Sequence, residues 1–408
     1  MTPFRYSIWD LSLTILGFIF FLSDILLDVW AAVNFYNEGA YLCLGILVFL
    51  LLGSSFLAQI YSWLWYKYDN FVMRTKFEEN LSPNLKILHF FQLGIFIRNV
   101  SVLMSVKNYK QGGSLEDEAV YLNHDLAMLR IIETFSESAP QIVLMLTITL
   151  QQGQLDLITV LKTIGSMSAV ALCVTSYHRS LRSFLPNAAE PSIVSSIFYF
   201  IWNWFLLISR LVTLSLFASV LPCFLFAHFF TSWLVLFFFS WRAQTHFMDS
   251  AFGEWLYRAT VGLIWYFDWF NVVEGNTRNR TFLYHTYILV DNSILLGVWC
   301  GMMITDPPYF VVPQLYAIII AASVFAVYAI GLFFKVLYYK CFHPNVQKQE
   351  LKGYTEQIQE FPDTVDSPPN MMMLRAFSHH TDGKEKDRPV QPAPCNKRMK
   401  MLAENFYS

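Results

Sequence analysis

Ten apolar stretches recur along the chain, at roughly 8–36, 40–65, 85–105, 124–150, 155–177, 193–219, 222–241, 255–270, 282–304 and 310–338. In lipid only helices and closed barrels satisfy their own backbone groups, and hydropathy here favours helices throughout. About 20 apolar residues suffice to cross a ~30 Å hydrocarbon layer. With 55% hydrophobic and 14% charged residues, the chain reads as an all-α polytopic membrane protein. Its net charge of −2 gives no basis for nucleic-acid binding. Cys43, Cys173, Cys223, Cys300, Cys341 and Cys395 are scattered without metal-ligand spacing or a disulfide framework. Reduced thiols, no metal and no cofactor are therefore expected. The first apolar run is too long for a signal-peptide core and further spans follow it, so no cleavable signal is expected.

Lys and Arg concentrate on the cytoplasmic side of membrane proteins, and their placement sets the number of spans. The links near 37–40, 151–156, 220–222 and 305–309 contain neither residue. The remaining links hold Lys67, Arg74, Lys76, Lys86, Lys107, Lys110, Arg179, Arg182, Arg242, Arg278, Arg280 and Lys340. With the four uncharged or acidic links outside, both ends of the third segment lie inside, as do both ends of the eighth. Neither segment then crosses. The third also carries His89, Gln92 and Arg98, and the eighth is short. The expected architecture is eight transmembrane helices plus two partly inserted re-entrant helices. They form two pseudo-symmetric halves, about 1–190 and 191–344, with both termini cytoplasmic. Interruptions at matching places in two halves are a feature of translocation paths. Residues 345–408 are polar and rich in Pro, Lys and acids, the composition of a regulatory tail that does not fold alone.

Ionisable residues at bilayer depth cost at least a few kcal/mol unless paired or wetted, yet several occur here. Asp10, Asp24 and Asp28 fall on one face of the first helix and span about 27 Å of its axis. In the fourth segment Asp125 is followed by Arg130, Glu133, Glu137, Pro140 and Gln141. Arg130, Glu133, Glu137 and Gln141 share an arc of about 80° on a helical wheel. Pro140 should kink that helix just past the acids. Arg210 lies deep in the sixth segment and Asp291 deep in the ninth. Acids outnumber the two arginines, so internal pairing cannot neutralise them all. Three readings follow: a path for lipid headgroups, an ion or solute carrier, and a non-transporting scaffold with structural charges. A stripe running nearly the full bilayer thickness favours the first. No nucleophile triad, phosphate-binding loop or metal-ligand spacing points to an enzyme.

The stretches SDILLDVWAAV (23–33), MLRIIETFSESAPQ (128–141), SYHRSLR (176–182), EWLYR (254–258) and WFNVVEGNTR (269–278) closely resemble the XK-related proteins. The DTVD sequence (363–366) and CNKRMKMLAENF (395–406) look most like that family's caspase-activated apoptotic scramblases. The resemblance implies a plasma-membrane protein of eight spans and two re-entrant helices. It would scramble phospholipids such as phosphatidylserine and phosphatidylcholine without ATP and so expose phosphatidylserine on dying cells. It implies a single-span immunoglobulin-superfamily partner of the basigin or neuroplastin type. It also implies a staircase of charged residues: Asp10, Asp24, Asp28, Asp125, Glu133, Glu137, Arg179, Arg210 and Asp291. Arg130 joins these by its position in the fourth segment. Relatives often carry Asp where this chain has Ser176, so one step is replaced.

Asp363 and Asp366 followed by Ser367 form an effector-caspase site with an acid at each end and a small residue after the cut. Cleavage there would release residues 367–408. Met399, Leu402, Ala403 and Phe406 follow i, i+3, i+4, i+7 spacing, with Lys397, Arg398 and Lys400 around them. This pattern predicts a short amphipathic helix that docks Met399, Leu402 and Phe406 on the cytoplasmic face and restrains opening. Two glycosylation sequons, Asn80-Leu-Ser82 and Asn279-Arg-Thr281, both lie in links assigned to the inside. Neither should carry a glycan, so amidase treatment of the protein from mammalian cells should leave its electrophoretic mobility unchanged.

Overall fold

The computed structural model describes residues 8–110, 116–153, 157–182, 192–243, 245–272, 277–305 and 312–342, which are helical with short connections and contain no strand. The helices are α1 (Ile8–Asn37), α2 (Tyr41–Tyr68), α3 (Lys76–Leu81), α4 (Leu85–Phe90), α5 (Gly94–Lys110), α6 (Glu116–Glu133) and α7 (Ala139–Gln152) in the first half of the chain. They continue as α8 (Leu157–Arg182), α9 (Ile193–Val220), α10 (Pro222–Arg242), α11 (Ala251–Phe267), α12 (Thr277–Thr305) and α13 (Gln314–Cys341). Seven of them, α1, α2, α8, α9, α10, α12 and α13, are long and apolar enough to cross a membrane. Leu42 and Phe49 on α2 are 79% and 75% exposed, and exposed aromatic and aliphatic side chains cover much of α1, α10 and α13 as well. A surface this apolar suits hydrocarbon and not water. The chain is therefore a multi-pass membrane protein.

The fourth predicted segment, 124–150, is helical but interrupted. A π-helical turn over Thr134–Ser138 separates α6 from α7. There the Ala139 amide reaches back five residues to the Thr134 carbonyl, and Pro140 next door has no amide to offer. Two pieces carrying Asp125, Arg130, Glu133 and Glu137 between them do not make one long apolar helix. The third predicted segment breaks as well, into α4 and α5. Gln59 of α2 staples the break: its amide donates to the Gln92 carbonyl at 3.2 Å, and its oxygen accepts from the Gly94 N–H at 2.9 Å. Gln92 there has a φ of +62°. A Cβ on Gly94 would collide with Gln59 and His89, so the glycine is required for the staple to close. The eighth predicted segment is the single helix α11.

α9 is the central helix and packs against α7, α8, α10, α11, α12 and α13. Small hydroxyl residues let its neighbours approach closely, as in other membrane helix pairs. Ser209 Oγ donates to the Val324 carbonyl of α13 at 3.1 Å, while Thr213 and Ser215 turn their hydroxyls back onto α9 carbonyls. Where α13 crosses α9, a Cβ on Gly331 would lie 2.8 Å from Leu206 Cδ2 and 3.2 Å from the Leu206 amide nitrogen. Gly331→Leu should accordingly overpack this crossing and cost about 1–3 kcal/mol, seen as a lower melting temperature of the detergent-solubilised protein.

Candidate functional site

The intramembrane charges separate into two kinds of environment. The first kind is dry and paired. Arg98 of α5 and Asp125 of α6 are 3% and 0% exposed and form an ion pair at 3.0 Å. The Arg98 guanidinium also donates from Nε to Ser62 Oγ and from Nη2 to the Ser62 carbonyl, and lies 4.1 Å over the Tyr66 ring. Charges taken this far from water persist only when their remaining hydrogen-bonding groups are occupied. A matching cluster sits between α9 and α12. Arg210 donates to Asp291 at 2.6 Å, to Asn292 Oδ1 at 2.6 Å and to the Tyr266 carbonyl at 3.0 Å. His228 Nε2 stands 2.9 Å from the second Asp291 oxygen. Arg179, also buried, donates to Ser196 Oγ at 2.6 Å and ties α8 to α9.

The second kind surrounds a cavity of about 600 Å³ bounded by α1, α6, α7 and α8. Asp24, Asp28, Arg130, Glu133, Gln141 and Lys162 supply its main polar surface, set among apolar residues such as Phe20, Leu27 and Met145. Ser138 Oγ donates to Asp24 at 3.2 Å, and the Gln141 amide donates to Asp28. Glu137 lies beside this wall, with its carboxylate and those of Asp24 and Asp28 within 4.8 Å of one another. Among the described residues this trio is the one acid cluster with metal-ligand spacing. The π-turn brings it about, because it carries Glu137 and Ser138 at the level of α1 where both aspartates project. π-turns of this sort are frequently found at functional sites.

The sequence-predicted residues thus divide. Asp24, Asp28, Arg130 and Glu133 line one cavity, with Glu137 adjoining it. Asp125 faces Arg98 instead, and Arg210 and Asp291 face each other in the other half. Asp10 is on α1 but its side chain lies outside the described residues, as do Asp363, Asp366, Ser367, Met399, Leu402 and Phe406. Sequence reasoning passed over Arg98 as a partner for Asp125 because their pairing is tertiary and the two occupy different segments. It also passed over Lys162, a single lysine in an apolar helix whose Nζ stands 4.5 Å from the Trp30 ring centroid.

Apolar helices enclosing a cavity lined by charged residues define an integral membrane protein with a polar interior site. A sequence model of the XK-related proteins matches residues 12–344, and the chain belongs to that family. It is 39% identical to XK-related protein 8 of Tetraodon nigroviridis, over 99% of this chain and 98% of that one. It is also 39% identical to XK-related protein 8 of Gasterosteus aculeatus, over the same shares. With XK-related protein 8 of Pan troglodytes the identity is 32%, over 98% of this chain and 94% of that one.

The two environments should answer differently to neutral substitution. Arg98→Met strands the buried Asp125 carboxylate and should cost about 3–5 kcal/mol, read as a large drop in melting temperature. Asp24→Asn, on the cavity wall, keeps its hydrogen bond to Ser138 and should leave the melting temperature almost unchanged.

Proposed function

We propose that this protein is a phospholipid scramblase activated by caspase cleavage of its tail, and that it exposes phosphatidylserine at the surface of apoptotic cells. The observation that carries the reading is the cavity bounded by α1, α6, α7 and α8, where carboxylates and cations are gathered inside an otherwise apolar frame. A carboxylate in hydrocarbon is stable only with a counter-charge, a donor or water. Headgroups travelling along this wall would meet polar partners at each step while their acyl chains remain in the bilayer. No ATP and no bond-making step are needed, so the role is passive transport and not enzymatic.

In this reading α6, the π-turn and α7 together form an eighth span, and α4–α5 and α11 enter the membrane without crossing. Two features support a pairing of the halves. Each short region opens on a hydroxyl cap: Thr75 accepts from the Glu78 amide at 3.2 Å and Ser250 from the Gly253 amide at 3.1 Å. A nearby glutamate in each accepts from a backbone N–H, Glu78 from Arg74 at 3.0 Å and Glu254 from Met248 at 2.7 Å. Tyr68 and Ser250 then join the halves through their hydroxyls at 2.5 Å. Both termini are placed in the cytoplasm and the protein in the plasma membrane, delivered there with a single-span partner of the basigin or neuroplastin type. Burial of Met399, Leu402 and Phe406 by the tail helix contributes about 5 kcal/mol before ordering entropy is subtracted. A remainder of a few kcal/mol holds a two-state equilibrium mostly closed.

The carboxylate trio of Asp24, Asp28 and Glu137 favours a second reading, a cation route through the same cavity, since hard cations take oxygen ligands. Proteoliposomes holding a headgroup-labelled lipid and treated with a membrane-impermeant reductant separate the two. Caspase-treated scramblase exposes the label of both leaflets to bleaching, whereas a cation carrier leaves the inner leaflet protected while passing ions. Asp366→Ala should keep the protein silent after caspase treatment, and deletion of 395–408 should activate it without caspase. A deletion that stays silent removes the tail helix as the restraint.

A further inference from the structure

The charges along the cavity follow an order that bears on which headgroups it admits. Arg130 stands at one end, beside Gly17 of α1: its Nη1 lies 2.6 Å from where a Cβ on Gly17 would be. Lys162 stands toward the other end, over Trp30. Gly17 and Trp30 are about 20 Å apart along α1 at the α-helical rise. Between these levels come the carboxylates of Glu133, Asp24 and Asp28, with Glu137 adjoining. The wall therefore reads cation, anions, cation.

Neither cation forms an ion pair with a carboxylate among the described residues. Arg130 donates to Asn99 Oδ1 at 2.5 Å and its guanidinium carbon lies 5.7 Å from the Phe21 ring centroid. Its Nε is buried with no hydrogen-bond partner, and no carboxylate among the described residues comes within 4 Å of it. Arg98 and Arg210 in the same molecule are both engaged by carboxylates. A guanidinium that lines a cavity without a carboxylate partner is suited to phosphate, its planar fork matching two phosphate oxygens.

Resting on the scramblase reading, we propose that Arg130 and Lys162 are phosphate stations and the carboxylates between them an ammonium station. The site then selects phospholipids whose headgroup joins a phosphate to a cationic amine. A choline, ethanolamine or serine headgroup carries the counter-charge for Asp24 and Glu133 with it as its phosphate leaves one cation for the other. A glycerol headgroup or a bare phosphate brings only negative charge to the carboxylates, and juxtaposed like charges are strongly disfavoured at such sites. Specificity of this kind comes from what is repelled as much as from what is held.

The test uses the full chain in proteoliposomes after caspase treatment, with acyl-labelled phosphatidylcholine, phosphatidylethanolamine, phosphatidylglycerol and phosphatidic acid as probes and reductant bleaching as readout. The choline and ethanolamine lipids should equilibrate at similar rates. The glycerol lipid and phosphatidic acid should be about tenfold slower, equivalent to about 1.4 kcal/mol. Arg130→Gln should slow the choline lipid by a similar factor, with Arg130→Lys restoring part of the rate. Asp24→Asn combined with Glu133→Gln should narrow the gap between choline and glycerol lipids. Equal rates for phosphatidylglycerol and phosphatidylcholine in the unsubstituted protein overturn the inference while leaving the scramblase reading intact. If phosphatidylcholine itself does not move, the scramblase reading falls, and this inference with it.

Discussion

The organisation of this protein follows from the cost of holding ionised side chains away from water. An isolated carboxylate or guanidinium in a low-dielectric interior is disfavoured by several kcal/mol, and good geometry with full hydrogen bonding is required to offset it. Arg98 meets that requirement with Asp125, Ser62 and the Tyr66 face. Arg210 meets most of it with Asp291, Asn292 and a backbone carbonyl, only its Nη2 being left without a hydrogen bond. These two clusters fasten α5 to α6 and α9 to α12, one in each half of the chain. They work as rivets. The charges around the cavity between α1, α6, α7 and α8 are not neutralised in this way, and that difference sets the cavity apart from the frame.

Between the rivets a core of large aromatic and aliphatic side chains fills the interior, and glycines set the closest helix crossings. The α9–α13 crossing depends on Gly331 and the α10–α11 crossing on Gly262, whose added Cβ would lie 3.1 Å from the Phe237 amide nitrogen. Close backbone approach is what membrane helices use where lipid chains leave little hydrophobic drive for association. Among the described residues the π-turn over Thr134–Ser138 is the one place where the ladder of a helix loosens to a five-residue reach, and it lies where α1 contributes Asp24 and Asp28.

Much of this is legible in the sequence because two signals act locally. Apolar length marks the seven long helices and the shortness of 255–270, whereas the break of 85–105 into α4 and α5 is seen only in the structure. That Asp24 and Asp28 share one face, and Arg130 and Glu133 another, is visible because residues three or four apart lie on the same side of a helix; that the two faces meet at one cavity is not. What the sequence does not expose is pairing between segments. Asp125 shares the chain neighbourhood of Arg130 and Glu133, yet it points to Arg98 on another helix. Lys162 carries no local signature at all, and only the proximity of α8 to α1 brings it to Trp30. The interruption at Pro140 is anticipated as a kink. Its realisation as a π-turn depends on backbone details that no residue type dictates.

The Arg98–Asp125 pair also bears on how the chain is built. Arg98 leaves the ribosome 27 residues ahead of its carboxylate partner, and the Gln59 staple that closes the α4–α5 break is already in place upstream. During synthesis the helical hairpin can therefore form while its arginine is still uncompensated. That guanidinium has to wait in an aqueous setting, at the headgroup level or within the insertion machinery, until α6 emerges. The emergence of α6 then supplies the carboxylate that lets the pair be buried, so a charge laid down early fixes where the later helix packs.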